Sequence, residues 1–159
     1  MVDFNYYGSG TAALATDRAL FWNQELSTIR TAFWMLGSQL GGGFLLGHST
    51  LFHFHRTQAG LGDSYASGLF ADSASDGVKN GRLFVDGLRL DSYKQPNVLN
   101  GAYQLVQLIT TDNAAANQFS RDRMSTTQCG GQRLGEVVLY DYPLTEKERM
   151  NMEALVSAK

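Results

Sequence analysis

The stretch from Gly81 to Asp91 reads Gly-Arg-Leu-Phe-Val-Asp-Gly-Leu-Arg-Leu-Asp, and it decides the fold class. Apolar and polar residues alternate on both sides of Asp86-Gly87, which is typical of two half-buried strands. An Asp-Gly pair readily adopts the positive φ angles that a two-residue hairpin turn requires. The stretch therefore predicts an antiparallel β-hairpin.

Runs of β-branched and aromatic residues on either side of this hairpin predict further strands. We expect strands over 27–36, 44–46, 50–56, 102–111 and 132–142, and a polar, loop-rich segment over 112–128. The run over 27–36 carries apolar side chains on both faces, which indicates a central strand. Many short strands in one chain indicate a β-sandwich or a barrel.

The C-terminal segment changes to a helical pattern. Thr145 is followed three positions later by Glu148, which is the spacing of a capping box that satisfies two backbone amides. Met150, Ala154 and Leu155 then recur at helical spacing. The sequence predicts a short amphipathic helix that closes the domain against the edge of the sandwich.

Charge and composition exclude several classes of protein. The 13 Lys and Arg residues are outnumbered by 15 Asp and Glu residues, and none of the sequence windows gathers the basic side chains that phosphate binding needs. We therefore expect no nucleic-acid partner. The longest apolar run, Ala32 to Leu36, is far too short to cross a bilayer, so we expect no membrane insertion. The length of 159 residues fits a single domain over 1–159.

Two motifs resemble those of a known family. Gly81-Arg-Leu-Phe-Val-Asp-Gly87 resembles the hairpin G-x-L-x-V-[DN]-G of laminin-G-like, concanavalin A-like domains. The stretch from Gly130 to Arg149, Gly-Gly-Gln-Arg-Leu-Gly-Glu-Val-Val-Leu-Tyr-Asp-Tyr-Pro-Leu-Thr-Glu-Lys-Glu-Arg, resembles the closing segment of bacterial domains of this type. The resemblance implies an all-β, two-sheet antiparallel jelly-roll β-sandwich with a short C-terminal helix.

That fold does not define a function, because lectins, carbohydrate-binding modules, glycosidases and interaction spacers share it. Glycosidases similar to laminarinases carry a Glu-x-Asp-x-x-Glu triplet on one strand, and this sequence has no such triplet. Glu136 and Asp141 are an odd number of residues apart in the closing strand, so they point to opposite faces of the sheet. They cannot act together on one glycosidic bond, and we expect a protein that is not an enzyme.

Carbohydrate recognition needs aromatic faces together with polar side chains that bind sugar hydroxyls. His53 and His55 point to the same side of a predicted strand, with Arg56 at its end. The expected carbohydrate-binding residues are His53, His55, Arg56, Tyr65, Tyr103 and Gln107. Other residues of suitable type are Tyr93, Asn97, Asn100 and Gln104.

The resemblance also implies calcium as a cofactor, since many laminin-G-like domains hold this ion with loop carboxylates and carbonyls near the binding edge. The candidate ligands are Asp63, Asp72, Asp76 and Asp112. The loops lack the dense acidic spacing of a dedicated calcium loop, so ordinary turn aspartates are the alternative interpretation.

These observations predict a non-catalytic, lectin-like recognition module of a surface or secreted protein, with a glycan or a surface protein as its partner. The alternative is a structural or assembly domain of a surface layer, filament or virion, whose partners would be neighbouring domains or further copies of the chain. Low charge and abundant Asn, Gln, Ser and Thr suit large polar interfaces. The expected location is extracellular or at the cell surface, as a domain of a longer exported protein, although the sequence opens with no signal peptide.

Overall fold

The computed structural model describes residues 2–3, 20–38, 45–55, 68–96, 98–99, 102–119 and 132–158. Within these ranges the chain forms six strands and two helices. In chain order they are β1 (Val2–Asp3), β2 (Leu20–Ser38), α1 (Asp76–Lys79), β3 (Arg82–Val85), β4 (Leu88–Arg89), β5 (Tyr103–Phe119), β6 (Gln132–Tyr140) and α2 (Glu146–Ser157). The predicted site residues Arg56, Asp63 and Tyr65 lie outside the described residues.

The described strands form one antiparallel sheet with the order β1-β6-β2-β5-β3-β4. β2 pairs with β5 on one side and with β6 on the other, so the prediction of a central strand over 27–36 is confirmed. β5 continues to Phe119, so the prediction of a loop over 112–128 is wrong for residues 112–119. The pairing of β2 with β5 is irregular near Ile29 and Thr31, which leaves the polar residues 111–113 exposed within the strand.

The β3–β4 hairpin forms as the sequence predicts. Asp86 has a φ of 49° and Gly87 a φ of 79°, both in the left-handed region that the turn requires. The Asp86 carboxylate accepts hydrogen bonds from the backbone N–H of Leu105 (2.8 Å) and from Nε2 of Gln104 (2.9 Å). The turn residue therefore also ties the hairpin to β5.

Both faces of the sheet are apolar, because successive side chains of a strand point to opposite faces and here both sets are buried. Trp34 and Leu36 of β2 belong to a large cluster on one face, where the Trp34 ring meets Phe54 edge-on at 6.2 Å. Phe33 of β2 and Leu105 of β5 belong to a smaller cluster on the opposite face. The sheet therefore has a hydrophobic layer on each side.

β6 contains a β-bulge at Gly135. Met35 pairs with Glu136, but the next residue of β2, Leu36, pairs with Leu134, so β6 has one extra residue between these two pairs. A Cβ atom on Gly135 would lie 3.1 Å from Cγ of Met35 and 3.2 Å from its carbonyl oxygen, which leaves little room for a side chain. The extra residue places Leu134 in the same buried cluster as Leu36.

The capping box and the C-terminal helix are confirmed, but the predicted apolar face is wrong, because Met150, Ala154 and Leu155 are exposed and α2 buries Arg149 and Val156 instead. The Thr145 hydroxyl accepts from the Glu148 N–H (3.4 Å), and the Glu148 carboxylate accepts from the Thr145 N–H (2.8 Å). Leu144 and Val156 are buried in one cluster with Phe33. The prediction that this helix lies against an edge is wrong, because α2 instead covers the second apolar face of the sheet.

The predicted strands over 44–46 and 50–56 do not form among the residues that the structure describes there. Gly47 makes an isolated bridge to β5, and its neighbours Leu45 and Leu46 lie in a bend. The His55 N–H donates to the Phe52 carbonyl (3.0 Å), and this local bond closes a turn where a strand was expected. The alternation of aromatic and histidine residues therefore belongs to a loop in which Phe54 is buried, while Phe52, His53 and His55 are partly buried.

Candidate functional site

Five of the predicted site residues lie close together in three segments of the chain. They are His53, His55, Asp72, Asp76 and Asp112. The first two belong to the turn over 52–55, the next two to the segment over 71–76 that leads into α1, and Asp112 to the irregular part of β5. A Cβ atom on Gly77 of α1 would lie 3.0 Å from Cβ of Asp112, so α1 packs directly on β5 at this point.

Backbone hydrogen bonds hold the first two segments side by side. The Ala71 N–H donates to the His55 carbonyl (2.9 Å), and the Ser75 N–H donates to the His53 carbonyl (3.2 Å). Main-chain bonds fix the relative position of two segments independently of their side chains. The histidines and the aspartates that the sequence assigned to separate sites therefore lie on one surface.

A third segment joins this surface through a close backbone contact at Gly68. A Cβ atom on Gly68 would lie 2.1 Å from the Tyr93 carbonyl oxygen and 2.3 Å from Cα of Lys94, so only glycine fits there. The Phe70 N–H also points at the Tyr93 carbonyl (3.5 Å). We call the region formed by residues 52–55, 71–76 and 93–94 the histidine–aspartate surface.

Asp72 lies at the centre of the polar contacts on this surface. Its Oδ1 accepts hydrogen bonds from the Tyr93 hydroxyl (2.8 Å) and from Nζ of Lys94 (2.7 Å). These bonds, first from Lys94 and then from Tyr93, lower the pKa of the Asp72 carboxyl. The same contact with Asp72 raises the pKa of Tyr93 and that of Lys94. Asp72 is therefore held ionised, while Tyr93 stays a hydroxyl donor.

Lys79 links Asp72 to Asp76. Its Nζ donates to the Asp72 carbonyl oxygen (3.0 Å) and pairs with the Asp76 carboxylate (2.9 Å). The hydrogen bond to Asp76 raises the pKa of Lys79. The surface thus carries two lysines whose charges are balanced by two carboxylates.

His55 presents its imidazole beside Ser73 and Phe52. Nδ1 of His55 lies within hydrogen-bonding distance of the Ser73 hydroxyl, and the ring packs against Phe52 with a centroid distance of 5.2 Å. An apolar ring next to a partly exposed imidazole combines a flat contact area with hydrogen-bonding groups.

His53 is partly buried. Burial lowers the pKa of His53, and the neighbouring His48 acts in the same direction, whereas the carboxylates of Glu25 and Asp112 oppose the shift. Nδ1 of His53 is shielded from solvent and makes no hydrogen bond to the residues that the structure describes. This imidazole is therefore held in its neutral form by its surroundings.

The described carboxylates do not fit a calcium ion. Asp72 and Asp76 each bind a lysine, and Oδ1 of Asp112 accepts from the Asn113 N–H (2.7 Å). Across the described ranges there is no group of three or more His, Cys, Asp or Glu side chains that could hold a metal ion. A calcium site including Asp63 would involve a residue outside those ranges and stays a prediction.

Tyr103 and Gln107 lie away from the histidine–aspartate surface. Tyr103 begins β5, and the nine residues from there to Asp112 span roughly 30 Å in an extended strand. Gln107 is fully buried beneath α2, where its Oε1 accepts from Arg149 (2.7 Å). A sugar could reach Gln107 only if α2 moved away. The carbohydrate-binding role of Tyr103 and Gln107 stays a prediction, and it would not involve the histidine–aspartate surface.

Sequence reasoning missed Ser73, Lys79 and Lys94 as parts of the site. Lys94 contacts an aspartate 22 positions earlier in the chain, and no local pattern marks such a pair. The available signal was weak: Gly68 lies at a place where two loop backbones touch, and one sequence does not reveal that contact.

No family model matches this chain, and no curated protein or solved structure is similar to it. The helices within the described ranges are too short and too polar to cross a lipid bilayer.

Proposed function

We propose that this protein is a non-catalytic recognition module that binds carbohydrate at the histidine–aspartate surface. The observation that carries the proposal is the joining of three loop segments into one polar surface by backbone hydrogen bonds and by the contact at Gly68. Binding groups held by the main chain are pre-organised, so less conformational entropy is lost when a ligand binds.

The side chains of this surface suit sugar hydroxyls. Asp72 supplies carboxylate oxygens, while Lys94 and the Tyr93 hydroxyl supply donors at fixed distances from it. The rings of Phe52 and Tyr93 supply apolar area of the kind that packs against a pyranose. A sugar hydroxyl can donate to the Asp72 carboxylate and accept from Lys94 or Tyr93, so it can bridge these groups.

The state of Asp72 supports binding rather than hydrolysis. A general acid in a glycosidase needs a raised pKa, and the pKa of Asp72 is lowered by its hydrogen bonds to Lys94 and Tyr93. Asp72 would therefore be a poor proton donor at neutral pH and a good hydrogen-bond acceptor.

We further propose that the module has the laminin-G-like jelly-roll fold. The hairpin at Asp86-Gly87 and the capped closing helix, which carry the sequence resemblance, support this assignment. An experimental structure tests it: a second antiparallel sheet packed on the Trp34 face is expected, and a single-sheet fold would refute the assignment.

A glycan array probed with the purified protein tests the binding function. The wild-type protein, Asp72→Asn and Asp141→Asn should each be applied once with calcium and once with a chelator. Asp141 is an exposed aspartate at the end of β6, so it is a matched control for the same chemical change.

We expect a glycan signal that survives chelation, falls at least tenfold in Asp72→Asn and is unchanged in Asp141→Asn. A signal lost on chelation would indicate that calcium takes part in binding. An array without signal under both conditions would contradict carbohydrate binding.

The alternative function is assembly with further copies or neighbouring domains. It is favoured by Leu88, which is 74% exposed on the edge strand β4, and by Met150 and Leu155 of α2, which are each 57% exposed. Light scattering after size exclusion tests this alternative. A concentration-dependent oligomer that Leu88→Lys converts to a monomer would support it, and a monomer at high concentration would oppose it.

A further inference from the structure

A turn over His48–Leu51 depends on a neutral histidine. Nδ1 of His48, a buried residue, accepts hydrogen bonds from the backbone N–H groups of Thr50 (3.0 Å) and Leu51 (3.0 Å). A nitrogen that accepts N–H bonds carries no proton, so the ring proton resides on Nε2. Nε2 lies 2.9 Å from the Glu25 carboxylate of β2, but it makes no hydrogen bond of good geometry to the described residues.

The same turn is attached to β5. The Gly47 N–H donates to the Gln118 carbonyl (2.7 Å), and the Ser49 N–H donates to Oδ1 of Asn117 (3.1 Å). The chain then continues directly into the turn over 52–55 that carries His53 and His55. The position of the histidine–aspartate surface therefore depends on the turn at His48.

His53 adds a second imidazole that the fold keeps neutral. Within the described ranges, the titratable groups that face these two rings are Glu25 from β2 and Asp112 from β5, together with each ring facing the other. Nδ1 of His53 has no hydrogen-bond partner in that part of the chain. A positive charge on either ring would lie beside the other imidazole in a partly dehydrated place.

We propose that His48 and His53 form an acid-sensitive latch that holds the turn over 52–55 against residues 71–75 at neutral pH and releases it on mild acidification. The inference rests on the proposed function, because it describes the regulation of that surface. A recognition module with such a latch would bind its glycan at neutral pH and release it as the pH falls.

The chemical step is the addition of one solvent proton to Nδ1 of His48. The protonated nitrogen becomes a donor, so the N–H groups of Thr50 and Leu51 lose their acceptor and are repelled. Because Nε2 lies 2.9 Å from the Glu25 carboxylate, the charged ring would form an ion pair with it, which keeps the ring on β2. The turn therefore moves while the ring stays, and imidazole groups change charge within the range of about pH 5 to 8.

Hydrogen exchange of individual amides, followed by NMR between pH 7.5 and pH 5, tests the latch without any ligand. We expect protection of the Thr50 and Leu51 amides to fall about tenfold at pH 5, after correction for intrinsic exchange. Protection of the Ala71 and Ser75 amides should fall with them, because these amides donate to His55 and His53. The amide of Arg149, inside α2, is the internal control and should not change.

His48→Asn provides the matched variant. An asparagine oxygen can replace Nδ1 as the acceptor but does not titrate, so the acid-dependent loss of protection should disappear in this variant. If His48→Asn fails to fold, the 15N chemical shifts of the wild-type imidazole give a second measurement. They should show an unprotonated Nδ1 on His48 at pH 7.5.

Three results would overturn the proposal: protection at Thr50 and Leu51 that is independent of pH, an unchanged acid response in His48→Asn, or a proton on Nδ1 at pH 7.5. A response confined to Thr50 and Leu51 would refute the coupling to the surface. A blank glycan array together with the expected exchange pattern would refute the proposed function and leave the latch standing.

Discussion

The two polar networks of the protein differ in how completely their groups are paired. Beneath α2, the Arg149 guanidinium is 4% exposed and lies 4.2 Å above the Phe84 ring. Nε and Nη2 donate to Glu146 (2.9 and 2.6 Å), while Nη1 donates to Gln107 (2.7 Å) and to Glu153 (2.6 Å). All three nitrogens of this buried cation therefore have acceptors, although Nε2 of the neighbouring Gln107 is buried without a hydrogen bond to the described residues.

Around the histidine–aspartate surface the pairing is incomplete. Nδ1 of His53, the Ser75 hydroxyl and Nε of Arg30 are buried without a hydrogen bond to the described residues. A buried polar group without a partner costs stability, because it has lost its hydrogen bonds to water. The network beneath α2 is therefore more completely paired than the region around the histidine–aspartate surface, where more buried groups lack a partner among the described residues.

Replacing the buried arginine should have the largest effect on the α2 side. We expect Arg149→Ala to lower the free energy of unfolding by about 3 kcal/mol, since removing one partner of a buried ion pair strands the others. Glu146 and Glu153 are partly exposed and can be rehydrated, which keeps the loss at the low end of the usual range. Urea denaturation measures the change.

Arg82→Ala is the control for Arg149→Ala, because Arg82 contacts the same Glu146 carboxylate (3.4 Å) from a more exposed position. Arg82 Nη2 also donates to the Leu144 carbonyl (3.2 Å). Losing this bond and the exposed ion pair should cost about 1 to 2 kcal/mol, still less than Arg149→Ala. Equal losses in the two variants would show that the buried network adds no stability of its own.

A side chain at position 68 should destabilise the histidine–aspartate surface. Gly68→Ala places a Cβ atom against the backbone of Tyr93 and Lys94, and we expect a loss of about 2 kcal/mol. Glycan binding should fall with it. Gly77→Ala is milder, because its new Cβ would meet the Asp112 side chain at 3.0 Å and helical alanine is favourable. Unchanged exchange of the Phe70 amide in Gly68→Ala would contradict this prediction.

Thr31 provides a smaller test of how α2 is attached. Its hydroxyl donates to the Tyr142 carbonyl (2.9 Å) and accepts from the Leu144 N–H (3.0 Å), just before the helix begins. Thr31→Val leaves both backbone groups without this partner and should cost about 2 kcal/mol or slightly less. Thr110→Val, which loses only the bond to the Arg30 carbonyl, should cost about half as much. Calorimetry compares the two, and the reverse order would contradict the role of Thr31.

The smallest expected effect is a difference in the pH at which acid destabilises each of the two networks. Hydrogen bonds from Arg149 lower the pKa of Glu146, and those from Thr145 lower the pKa of Glu148. Their stabilisation is complete above the unfolded-state pKa of about 4.3 and is lost as the pH falls through the lower folded-state pKa. The lowered pKa of His53 instead reduces stability as the pH falls below about 6.5.

Unfolding monitored by NMR as a function of pH should therefore report loosening near His53 at a higher pH than loosening at α2. Glu146→Gln should reduce the loosening of α2 at low pH and leave the loosening near His53 unchanged. Simultaneous loss of both regions near pH 6 would show that the networks are not independent.

Local chemistry made the hairpin and the closing helix predictable. The Asp86-Gly87 pair and the Thr145–Glu148 capping box each act within a few residues, so the sequence contains all of their determinants. The position of α2 was not predictable in the same way, because it depends on the apolar second face that β2 and β5 build together.

The candidate site was only partly predictable for the same reason. His53, His55 and Asp72 have the residue types of a binding site, but their assembly depends on backbone bonds between distant segments. The alternating pattern around His53 and His55 suggested a strand, and local hydrogen bonds produced a turn instead. Periodicity describes which residues alternate, and it cannot tell which backbone partner a segment will find.

The bulge at Gly135 shifts the alternation of side chains along β6 by one residue. Residues before Gly135 and residues after it follow opposite odd and even rules for facing the helix. Deletion of this one glycine would join Leu134 directly to Glu136, so regular alternation would still place Leu134 opposite Leu36 and Glu136 opposite Met35. A sequence comparison that treated β6 as a regular strand without the bulge would therefore assign the residues before Gly135 to the wrong face of the sheet.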